Sequence, residues 1–234
     1  MTKKQTLLSV SGLEAVIKQV CDFGASKRFN YDQQQKTQTM SKGYTISDQY
    51  AAYYVTFTIV GWVDLFTRLA CKGILVDSLR YCQQHKGLVI HAYVIMGSHV
   101  HMVLRAAEGS IGLSGIIRDF KKFTAKELLN WVLTSGQESR KEWLEMVFKY
   151  HGKHNSNNTK YQVWRQDNQP KILLHPRFIG QKLDYIHNNP VVAKIVERPE
   201  DYWYSSARNY LGIPHSVLDV EVIDFGVQEG YVLR

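Results

Sequence analysis

Residues 88–106, LVIHAYVIMGSHVHMVLRA, decide the fold. Two apolar runs rich in β-branched and aromatic residues flank Gly97-Ser98, and such runs about a turn signal read as a β-hairpin. On the second strand His99 and His101 are two apart. Their side chains therefore share one face, while Val100 and Met102 point to the other. Just upstream, 65–85, LFTRLACKGILVDSLRYCQQH, places Leu65, Leu69, Ile74, Leu75, Leu79 and Cys82 at helical spacing. Before it, 51–62, AAYYVTFTIVGW, reads as a buried strand. Downstream, 113–133 reads as an amphipathic helix and 138–150 as another, while 151–177 is polar and loop-like. Residues 178–189 read as a short helix that Pro190 stops. Strand, helix, hairpin and further helices predict an α+β domain: a ferredoxin-like or RRM-like antiparallel sheet with helices packed on one face. The domain is expected over 51–212, after an N-terminal extension (1–50) and before a C-terminal tail (213–234). The extension carries a helical pattern at 12–20 and a polar run at 31–42.

The 234 residues fit one domain with an extension. Hydrophobic residues make up 44% and charged residues 21%, which excludes wholesale disorder. Lys and Arg outnumber Asp and Glu by 29 to 21, and the net charge of +8 points to an anionic partner. No apolar run reaches 18 residues, so no transmembrane helix or membrane partner is expected. The opening MTKKQTLLSVSG lacks the apolar centre of a signal peptide. Cys21, Cys71 and Cys82 are odd in number and lack CxxC spacing. That argues against a disulfide framework and for a reducing, cytoplasmic setting.

Two imidazoles side by side on a strand can hold one divalent metal, each through a neutral ring nitrogen. The competing reading is a pair of half-buried structural histidines. A second segment, 183–190, LDYIHNNP, puts Tyr185 and Asn189 four apart on a helix, with a hydroxyl beside a hard carboxamide oxygen. Here the competing reading is a packed tyrosine and an ordinary helix stop, and the proline after Asn189 biases that residue away from helix. Asp184 and His187 flank the tyrosine and read as a solvated and a packing or surface residue.

Together the segments resemble a known family. YVIMGSHVHMVL (93–104) is similar to the strand-turn-strand of the His-hydrophobic-His (HUH) single-tyrosine transposases. LDYIHNNPVVAKIVERPEDYWYSSARNY (183–210) resembles the second block of the REP-associated tyrosine transposases. The likeness covers roughly 51–212. It departs at the turn, where the family usually reads Met-Pro-Asn and this chain reads Met96-Gly97-Ser98. The family offers no role for the first 50 residues. The resemblance implies that Tyr185 is the nucleophile and that His99, His101 and Asn189 bind Mg²⁺ or Mn²⁺. It further implies single-stranded DNA, often with a hairpin, as substrate, cut through a 5′-phosphotyrosine intermediate. The enzyme would be a monomer or homodimer. No residue is identified as the proton acceptor for Tyr185.

Lys149, Lys153, Lys160, Arg165, Lys171 and Arg177 face a single acid, Asp167, over 149–177, with Tyr150, Tyr161 and Trp164 interleaved. Cations with stackable rings suit single-stranded nucleic acid. On 116–128, Arg118, Lys122 and Lys126 lie four apart, with Lys121 beside them. Arg118, Lys121, Lys122, Lys126, Lys160, Trp164 and Arg165 are thus the candidate DNA contacts, against the alternative of ordinary solvated surface. A non-catalytic nucleic-acid-binding module with an RRM-like sheet is the main rival function. A metallohydrolase of another kind lacks further ligands at clear spacing, and no GxxxxGK[ST] helicase motif is present.

Overall fold

The computed structural model describes residues 45–155 and 160–224. The 12–20 and 31–42 segments and Cys21 lie outside the described residues.

Four strands form one antiparallel sheet in the order β2-β3-β1-β4: β1 (Tyr53–Thr58), β2 (Leu88–Ile95), β3 (His99–Ala106) and the short β4 (Lys171–Ile172). Helix α1 (Leu69–Lys86) joins β1 to β2, and α2 (Leu113–Thr134) with α3 (Lys141–Lys153) precedes β4. This β-α-β-β-α-β order is the ferredoxin-like arrangement expected from the sequence. Helix α4 (Pro176–Val192) and the single turn α5 (Ala207–Tyr210) follow. Among the described residues no helix is long and apolar enough to cross a membrane.

Strand alternation divides the sheet into two faces. Val55, Phe57, Val100, Met102 and Leu104 enter the main core with Leu75 and Leu79 of α1, Ile116 and Phe120 of α2, and Leu144 and Phe148 of α3. Burying each such side chain contributes about 1.5–3 kcal/mol. The opposite face presents Tyr54, Ala92, Val94 and Val103, and α4 covers it with Leu183 and Ile186. The expectation of helices on one face is therefore corrected. A sheet apolar on both faces needs a second layer, and α4 supplies it.

Pro190 does not stop α4, which runs on to Val192. The proline removes one backbone donor, yet its ring is buried and the Asn189 carbonyl still accepts from Ala193 N–H at 3.0 Å. Packing overrides the local preference. The loop-like reading of 151–177 misses β4 and an antiparallel bridge between Ile59 and Trp164.

Both flanks join the domain. Gln49 caps α2, its carbonyl accepting from Leu113 N–H at 3.1 Å and its Oε1 from Ser114 N–H at 2.9 Å. In the tail, Leu218 is buried in the main core and Glu221 N–H donates to the Ile90 carbonyl at 2.9 Å. With Tyr204 and Ser206, which bond to Ile95 and Tyr93, this covers the otherwise open edge of β2.

Candidate active site

On β3, His99 pairs with Thr58 and His101 with Thr56 of β1, so both imidazoles stand on the face that α4 covers. The rings lie edge to face, centroids 4.7 Å apart. His99 is half-buried and His101 almost wholly so. Each Nδ1 meets a hydroxyl. Ser98 Oγ lies 3.1 Å from His99 Nδ1. Tyr54 Oη and Thr56 Oγ1 lie 2.7 and 3.0 Å from His101 Nδ1. Ser98 belongs to the turn where the sequence departs from the family pattern, and its hydroxyl supports the first histidine.

Helix α4 brings Tyr185 to this pair. Its hydroxyl is 3.4 Å from His101 Nε2, and the two rings meet edge to face at 5.1 Å. Tyr54 touches both, stacked on His101 at 5.7 Å and edge-on to Tyr185 at 6.3 Å. One turn earlier on α4, Lys182 Nζ lies over the rings of Tyr54 at 4.8 Å, Phe178 at 5.2 Å and Tyr185 at 5.8 Å. A cation so placed attracts anionic groups such as a phosphate. Asn189 is half-buried one turn after Tyr185 on the same helix, so the four-residue spacing survives the proline.

The spacing of the two imidazoles is compatible with their sharing one divalent ion. Two imidazoles bound to one ion have centroids within about 6.5 Å, given metal–nitrogen bonds of about 2.1 Å, and these are closer. A proton on each Nδ1 donated to its hydroxyl leaves the Nε2 lone pair as the ligand, the arrangement that orients metal-binding histidines. Among the described residues no set of three or more His, Cys, Asp or Glu side chains could hold a metal. Further ligands would be other oxygen donors, such as the Asn189 carboxamide.

The flanking residues divide. His187 is buried, and burial pushes its pKa down to about 4. Its Nε2 lies 2.9 Å from Ser206 Oγ, while its Nδ1 is buried without a hydrogen-bond partner among the described residues. It ties α4 to the segment covering β2. Burial raises the pKa of Asp184, which is half-buried rather than fully solvated.

The candidate DNA contacts differ in where the fold places them. Arg118, Lys122, Lys126, Lys160 and Arg165 line a groove of about 1070 Å³ between α2 and the 160–170 segment. Trp164 lines it too but is only 4% exposed, and its indole N–H donates to Thr124 Oγ1 at 3.0 Å. It is a core ring packed on Phe57 and Phe66, not a stacking surface. Lys121 lines the groove too, but its ammonium donates to the Arg165 carbonyl and Asn168 Oδ1, both at 2.6 Å. Burial lowers its pKa to about 8. It pins the loop. Tyr54, Thr56, Ser98 and Lys182 escaped the sequence reading. The first two alternate on a strand whose inward face was legible, but the register that sets them against His101 was not.

No family model and no curated relative matches the chain. Among solved structures, it is similar to a REP-associated tyrosine transposase bound to a REP hairpin. Identity is 17%, with 82% of this chain and 99% of that chain covered, at a TM-score of 0.52. A second solved chain, a proposed transposase from Deinococcus radiodurans R1, is also 17% identical over 64% of this chain and 97% of that one. Its TM-score is 0.35, too loose a superposition to bear on the fold.

Proposed function

We propose that this chain is a metal-dependent DNA strand transferase of the single-tyrosine HUH transposase family. It would cut single-stranded DNA through a 5′-phosphotyrosine intermediate. The observation that carries the reading is the Tyr185 hydroxyl 3.4 Å from His101 Nε2, joining a helix and a strand 84 residues apart. The ferredoxin-like fold shared with a REP-associated tyrosine transposase supports it. Because that protein was solved bound to a REP hairpin, hairpin-bearing single-stranded DNA is the partner class we carry to this chain.

His99, His101 and Asn189 would hold Mg²⁺ or Mn²⁺, which when bound supplies Lewis-acid polarisation of the scissile phosphate. Tyr185 Oη attacks phosphorus; the Oη–P bond forms as the P–O3′ bond breaks. The phenolic proton leaves Tyr185, and the departing 3′ oxygen gains one. His101 Nε2 cannot both ligate a metal and accept that proton, so the acceptor in the loaded enzyme is another group. Lys182 offsets charge on the phenolate and on the phosphate. The number of phosphodiester linkages is conserved in the adduct, so a 3′-hydroxyl can reverse the step and join strands without ATP.

The groove bearing Arg118, Lys122, Lys126, Lys160 and Arg165 equally favours a second reading, a module that binds single strands without cutting them. The two separate on a denaturing gel. The full chain is incubated with labelled single-stranded hairpins from DNA flanking its gene, with Mn²⁺ or with chelator. Strand transfer predicts a metal-dependent covalent band that Tyr185→Phe abolishes while binding persists. Binding without any band supports the module.

A further inference from the structure

We propose that single-stranded DNA reaches the histidine site across Trp62, with a base stacked on its indole beside His99. The identity of the strand rests on the strand-transfer reading above. Trp62 is half-buried, and its ring meets that of His99 edge to face at 5.4 Å. Its backbone is left-handed, φ 55°, directly after Gly61 at φ 64°. A non-glycine residue holds that conformation at a cost of about 1–3 kcal/mol and only where its surroundings enforce it. Here the Val60 N–H bond to the Val163 carbonyl at 2.9 Å and the Trp62 N–H bond to the Ile59 carbonyl at 3.1 Å do so. The turn sets a large aromatic at the end of β1, beside the first histidine.

Trp62 also lines a hollow of about 390 Å³ with Gly61, His151 and Arg165. Gln162, Arg165, Gln166 and Asp167 belong both to this hollow and to the cationic groove. The two spaces therefore share one wall. The shared wall carries one acid, Asp167, whose carboxylate accepts from Gln169 N–H at 2.8 Å. The path runs along this shared wall, with Arg118, Lys122, Lys126 and Lys160 in the groove, Arg165 on the wall, and an aromatic ring next to His99 in the hollow. Cations that track phosphates leading to a ring that takes a base are the elements of single-strand binding. A duplex, its bases already stacked on each other, offers no free face to the indole.

Two experiments test this on the full chain. In the first, a 20-nucleotide oligo-dT carrying 5-iododeoxyuridine is photocrosslinked to the wild-type protein and the adduct mapped by mass spectrometry. Crosslinking at Trp62 is expected; crosslinks confined to other peptides overturn the proposal. In the second, fluorescence anisotropy follows labelled oligo-dT binding. Trp62→Leu should weaken it about 5- to 100-fold, the effect of one lost base stack. Trp62→Phe should retain most of the affinity. Lys122→Gln should lower the slope of log affinity against log salt by about 0.7, whereas Trp62→Leu leaves it unchanged. Unchanged affinity in Trp62→Leu overturns the proposal. Wild-type crosslinking needs no variant to fold. It is also separable from catalysis: a covalent Tyr185 band without a Trp62 crosslink refutes this path alone, and a crosslink without a band refutes strand transfer alone.

Discussion

His101 is held by what surrounds it. At 2% exposure it lies within hydrogen-bond distance of two hydroxyls at Nδ1 and of a third at Nε2. To serve as a metal ligand through Nε2, it must carry its proton on Nδ1 and donate it to Tyr54 or Thr56. Tyr54→Phe keeps the ring stacked on His101 and removes the 2.7 Å partner. We expect the apparent metal affinity, read from Mn²⁺ titration of adduct formation, to fall about 10- to 100-fold with little change in thermal stability. An unaltered titration curve would deny Tyr54 this role. His187, two residues past the tyrosine, gives a different prediction. Its folded pKa of about 4 lies below the ordinary 6.5, so as pH falls the unfolded chain takes the proton first. The penalty is absent above pH 6.5 and grows toward pH 4, on the order of 1.4 kcal/mol per pH unit. Urea unfolding at pH 7, 6 and 5 should show this decline, and His187→Gln should flatten it relative to wild type.

At the scale of elements, β3 and α4 were legible because periodicity and residue type agreed. The alternation HVHMV sets two histidines on one face, and Tyr185 and Asn189 share a helix face at any register. Pro190 does not end α4 because burial of the helix that contains it outweighs the proline's local cost of about 3 kcal/mol. Trp164 was misjudged because an aromatic among lysines looks the same whether it faces solvent or core. The bridge to Ile59 and the indole bond to Thr124 hold it inward. The 160–170 segment owes its place to a close approach at α3. A Cβ on Gly152 would sit 2.5 Å from the Lys160 carbonyl oxygen, a backbone atom with no easy retreat. Gly152→Ala should therefore cost about 1–3 kcal/mol, seen as a lower Tm. It should also weaken oligo-dT binding, since it shifts a wall of the cationic groove. Retention of both would mean the segment yields freely.

Over the whole molecule, the strand-helix-hairpin order sufficed to predict the ferredoxin-like sheet, but not which layer each later helix would join. That depends on tertiary packing: α4 covers the histidine face because Leu183 and Ile186 match the apolar patch of Tyr54, Ala92, Val94 and Val103. The result puts the histidine pair and Tyr185 beneath α4 and a cluster of cations in the groove beside α2, with the 162–167 segment and Trp62 between them. If Tyr185 is the nucleophile, it becomes covalently joined to DNA. The most direct measurement is to trap the metal-dependent adduct, digest it with nuclease and protease, and sequence the modified peptide by mass spectrometry. A nucleotide joined through its 5′-phosphate to Tyr185 within the α4 peptide is expected. An adduct carried on any other residue, or one formed equally by Tyr185→Phe, would contradict it.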